Sequence, residues 1–449
     1  MNPLPPSVTN YARVTLERLV SLPTVSAEGR ALPETAALVR ELLEELGLVT
    51  ELHPTAGAPV VFAHNTPIRG GGAKTVLFYN HYDVQPADPL ELWESDPFTL
   101  TERDGKLYGR GSTDDKGEIT ARLAALRWIK EERGEIPFGV KFCIEGEEEV
   151  GSPNLGRYVE EYKQSLKADA VLWEAGGVTA EGDPAIYCGL KGIVGLELRC
   201  KIAAFDLHSA NGAIVQNPLY RLAAAVASLR DKDGRVLVKG FYDRVRPLTE
   251  LEQEMIARVP DESPKLKQTY GLESFLGGAT GLEVNRRYIA EPALNINGFH
   301  GGYGGPGSKT VLPAEGLVKM DIRLVPDQDP SEVAELVQAH LTEHGFDDIE
   351  LIRAEFGEPP ARSDLASSWV RVGIEAAREV YGREPVVYPN MAGSGPMHPF
   401  VHHLGAPVIG LGCGYPGSRI HSPNEHVVIQ NFHNGIAAIK RALEKFAEI

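Results

Sequence analysis

Four short apolar runs, at residues 76–79, 140–144, 170–173 and 408–411, restrict the fold of this chain more than any other feature. Strands of that kind bury both faces, and helices lying on a mostly parallel sheet supply the cover. Between the first two runs, Ile119, Leu123, Leu126 and Ile129 recur at near-helical spacing, so a crossover helix is expected over 117–130. A further helix is expected at 34–46. The expected class is α/β, with a mostly parallel sheet flanked by helices.

The pattern changes after Gly192, where Val194, Leu196 and Leu198 alternate with smaller or polar residues as in a half-exposed strand. Residues 318–325 alternate in the same way, and 219–229 and 331–340 read as helices. This stretch is expected to be an inserted α+β domain. After it, 369–380 reads as a helix and the end of the chain returns to the first pattern. The expected division is 1–191 and 362–449 for the first domain and 192–361 for the insert. A length of 449 residues suits two lobes, given about 150 residues per domain as a guide.

Acidic residues outnumber basic ones 62 to 45, giving a net charge of -17, and no basic block is present. Neither a nucleic acid nor an anionic membrane is the expected partner. No run approaches the ~18 consecutive apolar residues of a spanning helix. The opening residues carry Pro3, Pro5 and Pro6 without a cationic segment leading into an apolar one, so a secretory signal is not expected. The cysteines, Cys143, Cys188, Cys200 and Cys413, are scattered without Cys-x-x-Cys spacing, which fits a reducing cytoplasm.

Five segments place acidic or histidine side chains just past an apolar run, where open α/β sheets build their sites. In Asn80-His81-Tyr82-Asp83, extended backbone puts His81 and Asp83 on one side, so the carboxylate can orient the imidazole for a metal. The glycine-punctuated 108–117 segment presents Asp114 and Asp115 at the expected helix start. Glu147, Glu148 and Glu149 follow the run at 140–144, Glu174 follows 170–173, and His421 lies in the last segment. Singly, each has a plainer reading, as a loop, an N-cap or a solvated charge run. Together, crowded carboxylates at strand mouths repel one another unless a cation is present. Two divalent ions sharing one bridging carboxylate, each also held by a histidine and an acid, would use these groups. Oxygen and imidazole ligands without thiolates suit zinc or manganese.

Other motifs carry less. In the glycine-rich 301–310 segment the lysine does not directly follow a glycine, as a phosphate loop requires. His398, His402 and His403 have helical spacing but no acidic neighbour. Gly393-Ser394-Gly395 falls short of a nucleophile elbow, which leaves a serine hydrolase as the weaker enzyme reading.

The residues resemble the co-catalytic metallopeptidase family of carnosinase-like dipeptidases, bacterial glutamate carboxypeptidase, aminoacylase and succinyl-diaminopimelate desuccinylase, and the dipeptidase branch above all. The resemblance runs through three ordered motifs, Asn80-His81-Tyr82-Asp83-Val84-Gln85-Pro86, the segment 109–117, and Glu148-Glu149-Val150-Gly151-Ser152. It implies a zinc-exopeptidase-like catalytic domain with an inserted lid and dimerisation domain. It also implies that His81 and Glu174 bind one metal, Glu149 and His421 the other, and Asp114 bridges both. Asp83 would orient His81, and Glu148 would be the general base, with Glu147 as fallback because three glutamates run in a row. A cis peptide bond after Asp114 is implied as well. His208, in Asp206-Leu207-His208-Ser209, would serve the neighbouring site across a homodimer. Thr310, Arg323 and Ser394 would hold substrate, Arg323 by its carboxylate.

The implied activity is hydrolysis of dipeptides or short peptides with a free C-terminal carboxylate, with two divalent ions per subunit. Zinc is first in line, and manganese or cobalt the alternatives. The other readings are an N-acyl amino acid deacylase or desuccinylase of the same family and, more distantly, a non-catalytic metal-binding protein.

Overall fold

The strand Thr75–His81 is buried along almost its whole length, as its apolar sequence demands, and lies inside a nine-stranded sheet. The structure, a computed structural model, describes residues 4–65 and 74–449, apart from the side chains of Glu355 and Phe356. Two compact units emerge. One comprises Met1–Gly189, Arg362–Asn390 and Pro396–Ile449, the other Leu190–Ala361 and Met391–Gly395.

In the first unit Thr75–His81 pairs in parallel with Gly139–Glu145 on one side and Ala170–Trp173 on the other, and Val408–Gly410 continues the parallel order. Antiparallel strands Val49–His53 and Val60–His64 extend one edge. The helix Lys116–Arg133 makes the crossover between the first parallel pair. Its buried Ile119, Leu123, Leu126 and Ile129 form the expected stripe, and Gly134 at φ 80° ends it, donating its N–H to the Lys130 carbonyl. Helices Pro6–Val20 and Ile429–Ala447 pack against this crossover helix, and Ser368–Tyr381 packs on the latter. The segments that carry His81, Glu149 and Glu174 leave neighbouring parallel strands of this sheet, and Asp114 immediately precedes the crossover helix.

The second unit is built on a four-stranded antiparallel sheet in the order Ala293–Gly301, Glu315–Leu324, Gly192–Lys201, Ile349–Glu358. Val194, Leu196, Leu198, Met320 and Ile322 form its core with Leu222 and Leu229 of helix Pro218–Leu229 and Val337 and Leu341 of Pro330–Glu343. The segment 391–395, expected with the first domain, groups instead with this unit. The Lys191 N–H donates to the carbonyls of Met391 and Gly393, and Leu190 bridges to Met391.

Candidate metal centre

At the carboxyl end of Thr75–His81 the carboxylate of Asp115 fixes the backbone. Its Oδ2 accepts from Asn80 Nδ2 at 2.8 Å and from the His81 N–H at 2.9 Å. His81 and Asp83 are buried side by side, with His81 Nδ1 3.2 Å from Asp83 Oδ1. The ring is thus held from behind and presents Nε2 forward. Asp83 also fixes the turn Glu148–Val150, since its Oδ1 accepts from the Glu148 N–H and its Oδ2 from the Glu149 N–H.

Asp114 stands between two histidines. Its Oδ1 is 3.0 Å from His81 Nε2 and its Oδ2 is 3.1 Å from His421 Nε2. Glu149 Oε2 lies 3.0 Å from His421 Nε2, and Glu174 Oε2 lies 3.9 Å from His81 Nε2. The Asp114–Asp115 peptide bond is cis, as the resemblance implies. The register of the three glutamates is also visible. Glu147 accepts from Asn154 Nδ2 at 2.7 Å and lies against Gly57, whereas Glu148 Oε2 is 3.9 Å from His81 Nε2.

These residues fit a metal. The groups His81, Asp114, Glu149 and His81, Asp115, Glu174 each bring three candidate ligand atoms together. With bonds of about 2.0–2.1 Å, tetrahedral ligand atoms stand about 3.3 Å apart, inside the 3.0–3.9 Å range around His81 and slightly beyond the 3.0–3.1 Å around His421. Among the described residues, buried Glu174 Oε2 has no hydrogen-bond partner. Burial pushes the Glu174 and Glu148 carboxyls well above the usual range, with Glu148 adding to the rise at Glu174. Hydrogen bonds to Asp114 and Glu149 push His421 up to about 10. Carboxylates crowded in this way favour a cation among them.

Glu425 and Gln85 escaped the sequence reading as working residues. Buried Glu425 accepts at Oε1 from the N–H groups of Thr113 and Asp114, and at Oε2 from the Gly111 N–H and Arg110 Nη1. Its own carbonyl accepts from the Gly109 N–H. One side chain therefore ties the Asp114 loop to the His421 loop, where Arg419, His421 and Asn424 all have left-handed φ of 57–64°. Such backbone costs a non-glycine residue about 1–2 kcal/mol and persists only where surroundings fix it. Gln85 Nε2 donates to Glu149 Oε2 at 3.0 Å and to the Glu149 carbonyl at 3.1 Å. Gln85 stands inside the first motif, so its place was legible; Glu425 lies 311 positions beyond Asp114, and no local pattern connects them.

The second unit carries the remaining candidates. A two-residue ribbon pairs Leu207–His208 with Val311–Leu312, which brings exposed His208 beside Thr310, whose carbonyl accepts from the Ser209 N–H. His208 Nδ1 accepts from the Ala210 N–H at 3.1 Å, which leaves Nε2 as the donor of the neutral ring. Arg323 Nη1 donates to Ser394 Oγ at 2.8 Å. Elsewhere, His398 and His402 stack at 4.9 Å in a five-residue helix, and the 301–310 segment follows an edge strand without starting a helix.

A parallel sheet that gathers histidines and carboxylates past its strand ends is the architecture of the metal-dependent exopeptidases. The profile of Peptidase family M20/M25/M40 matches residues 77–445, and the chain belongs to that family of metallopeptidases. A Beta-Ala-His dipeptidase of Rattus norvegicus is 37% identical over 270 residues, 60% of this chain and 55% of that protein, so the match spans little more than half of the relative. The Cys-Gly metallodipeptidase dug1 of Schizosaccharomyces pombe is 31% identical over 458 residues, 97% of this chain and 95% of that protein. Among solved structures, the M20 family metallo-carboxypeptidase Sso-CP2 from Sulfolobus solfataricus gives a TM-score of 0.90 at 39% identity, covering 98% of this chain and 99% of that one.

Proposed function

We propose that the protein hydrolyses the peptide bond of dipeptides or short peptides that end in a free carboxylate. The observation that carries this is the position of Asp114, one oxygen toward His81 and the other toward His421, each histidine with its own glutamate nearby. The relatives named as dipeptidases and as a carboxypeptidase support the substrate class. His81 and Glu174 would hold one divalent ion, His421 and Glu149 a second, and Asp114 both. Zinc suits the donor set, with manganese or cobalt as alternatives. When bound, such a pair lowers the pKa of water and polarises a carbonyl oxygen.

The chain's own groups supply the rest. Glu148 takes a proton from the attacking water and returns it to the leaving amine. Arg323, steadied by Ser394, grips the terminal carboxylate in a forked pair, with Thr310 as a further substrate contact. His208, with Nε2 left to donate, steadies the oxyanion in the site of a partner subunit. A homodimer through the inserted unit and a cytoplasmic location belong to the same reading. The four cysteines, all buried and unpaired, support the latter, and among the described residues no helix is long and apolar enough to cross a membrane.

The test is hydrolysis of dipeptides and N-acyl amino acids by chelated protein, before and after adding zinc, manganese or cobalt. Metal-restored dipeptide cleavage is expected. Cleavage of acyl amino acids alone would move the assignment to a deacylase, and activity untouched by chelation would sink the metal reading.

A further inference from the structure

Across the sheet of the second unit, Ile193 has Arg323 as its paired residue on one side and Glu358 on the other. Directly paired residues point to the same face, and the next residues along, Val194 and Ile322, point into the core. Arg323 and Glu358 therefore share the face turned away from that core. Their Cα atoms stand two strand spacings, about 9.6 Å, apart.

Arg323 is only partly engaged, and Glu358 less so. Arg323 spends Nη1 on Ser394, and its Nε lies 3.6 Å from Asp321 Oδ2. Among the described residues no ion pair joins Arg323 to Glu358. Glu358 Oε2 is buried and, among the described residues, has no hydrogen-bond partner. Burial pushes its carboxyl up to about 7, with Arg323 pulling the other way. A buried carboxylate oxygen without a donor marks a place where a positive group completes the structure.

We propose that Arg323 and Glu358 form a two-charge subsite for the C-terminal residue of the substrate, Arg323 taking its carboxylate and Glu358 a cationic side chain such as that of lysine, ornithine or arginine. This rests on the role given to Arg323 above and adds a specificity-determining residue beside it. A neutral side chain leaves Glu358 without its partner, and an acidic one meets like charge.

The experiment compares alanyl-lysine with alanyl-norleucine, which has the same stem without the ammonium. A charge-assisted hydrogen bond predicts a kcat/KM ratio of about tenfold or more in favour of lysine. Glu358→Gln should bring that ratio to about one, and Glu358→Lys should shift preference toward alanyl-glutamate. Equal losses on both peptides, leaving the ratio intact, would mark Glu358 as structural only and overturn the proposal, as would a wild-type enzyme that does not discriminate. If neither peptide is cleaved, the proposed function fails on its own account. Calorimetric binding of acetyl-lysine against acetyl-norleucine then still decides, since indifference of the wild-type protein overturns the subsite and a preference lost in Glu358→Gln supports it.

Discussion

Glu148 and Glu149 are neighbours in sequence and differ in what they touch. Glu149 is bound by Gln85 and faces His421, whereas among the described residues no hydrogen bond reaches the carboxylate of Glu148, which lies 3.9 Å from His81 Nε2. Removing Glu148 should therefore leave the ligand set standing. Glu148→Ala is expected to keep its metal by elemental analysis while turnover falls about 10²–10⁴-fold, the usual weight of a general base. Near-normal activity would assign the proton transfer to another group. At this scale the ordered motifs made His81, Asp83, Asp114 and Glu149 legible: His81, Asp83 and Glu149 follow apolar runs that end at strand mouths, and Asp114 sits in a glycine-punctuated turn before the crossover helix. Asp115 was read only as an acid at a helix start; its grip on the Asn80 side chain and His81 backbone arises once the two segments meet in space.

Two loops from opposite ends of the chain have to agree in position for Asp114 and His421 to face each other, and Glu425 supplies the agreement through four accepted hydrogen bonds. Glu425→Gln puts an NH2 group against donors at one end and leaves buried Arg110 without its counter-charge. Metal affinity, measured by chelator competition on the folded protein, should weaken about 10–100-fold, as is usual for partners that orient ligands. A lowered melting temperature with unchanged affinity would reduce Glu425 to a stability role. The parallel strands and the crossover helix were readable because burial on both faces leaves an apolar run. Helices Glu250–Arg258, Ser263–Tyr270 and Leu282–Ala290 were not, since each is short and buries only one to three residues. Edge strand Ala293–Gly301 was missed for a related reason: most of its positions are exposed, so burial imposes no alternation.

Length and the change of periodicity at Gly192 foretold two lobes at the scale of the whole chain, but not that 391–395 would join the second, because that link is made by backbone bonds from Lys191. The chain supplies its candidate base on one unit and its candidate oxyanion donor, His208, on the other, and the proposed dimer makes a prediction from that division. If His208 serves the partner's site, a His208→Ala chain keeps a base that its partner's histidine can complete, while a Glu148→Ala chain keeps the histidine and lacks the base. Each variant alone should be nearly inactive. Refolded together in equal amounts, half of the dimers are mixed and each mixed dimer holds one complete site of two, so about a quarter of wild-type activity should return. Native mass spectrometry can verify that the mixed dimers exist. Recovery near a quarter places the histidine in trans; verified mixed dimers without recovery would put His208 outside the reaction or confine its action to its own chain.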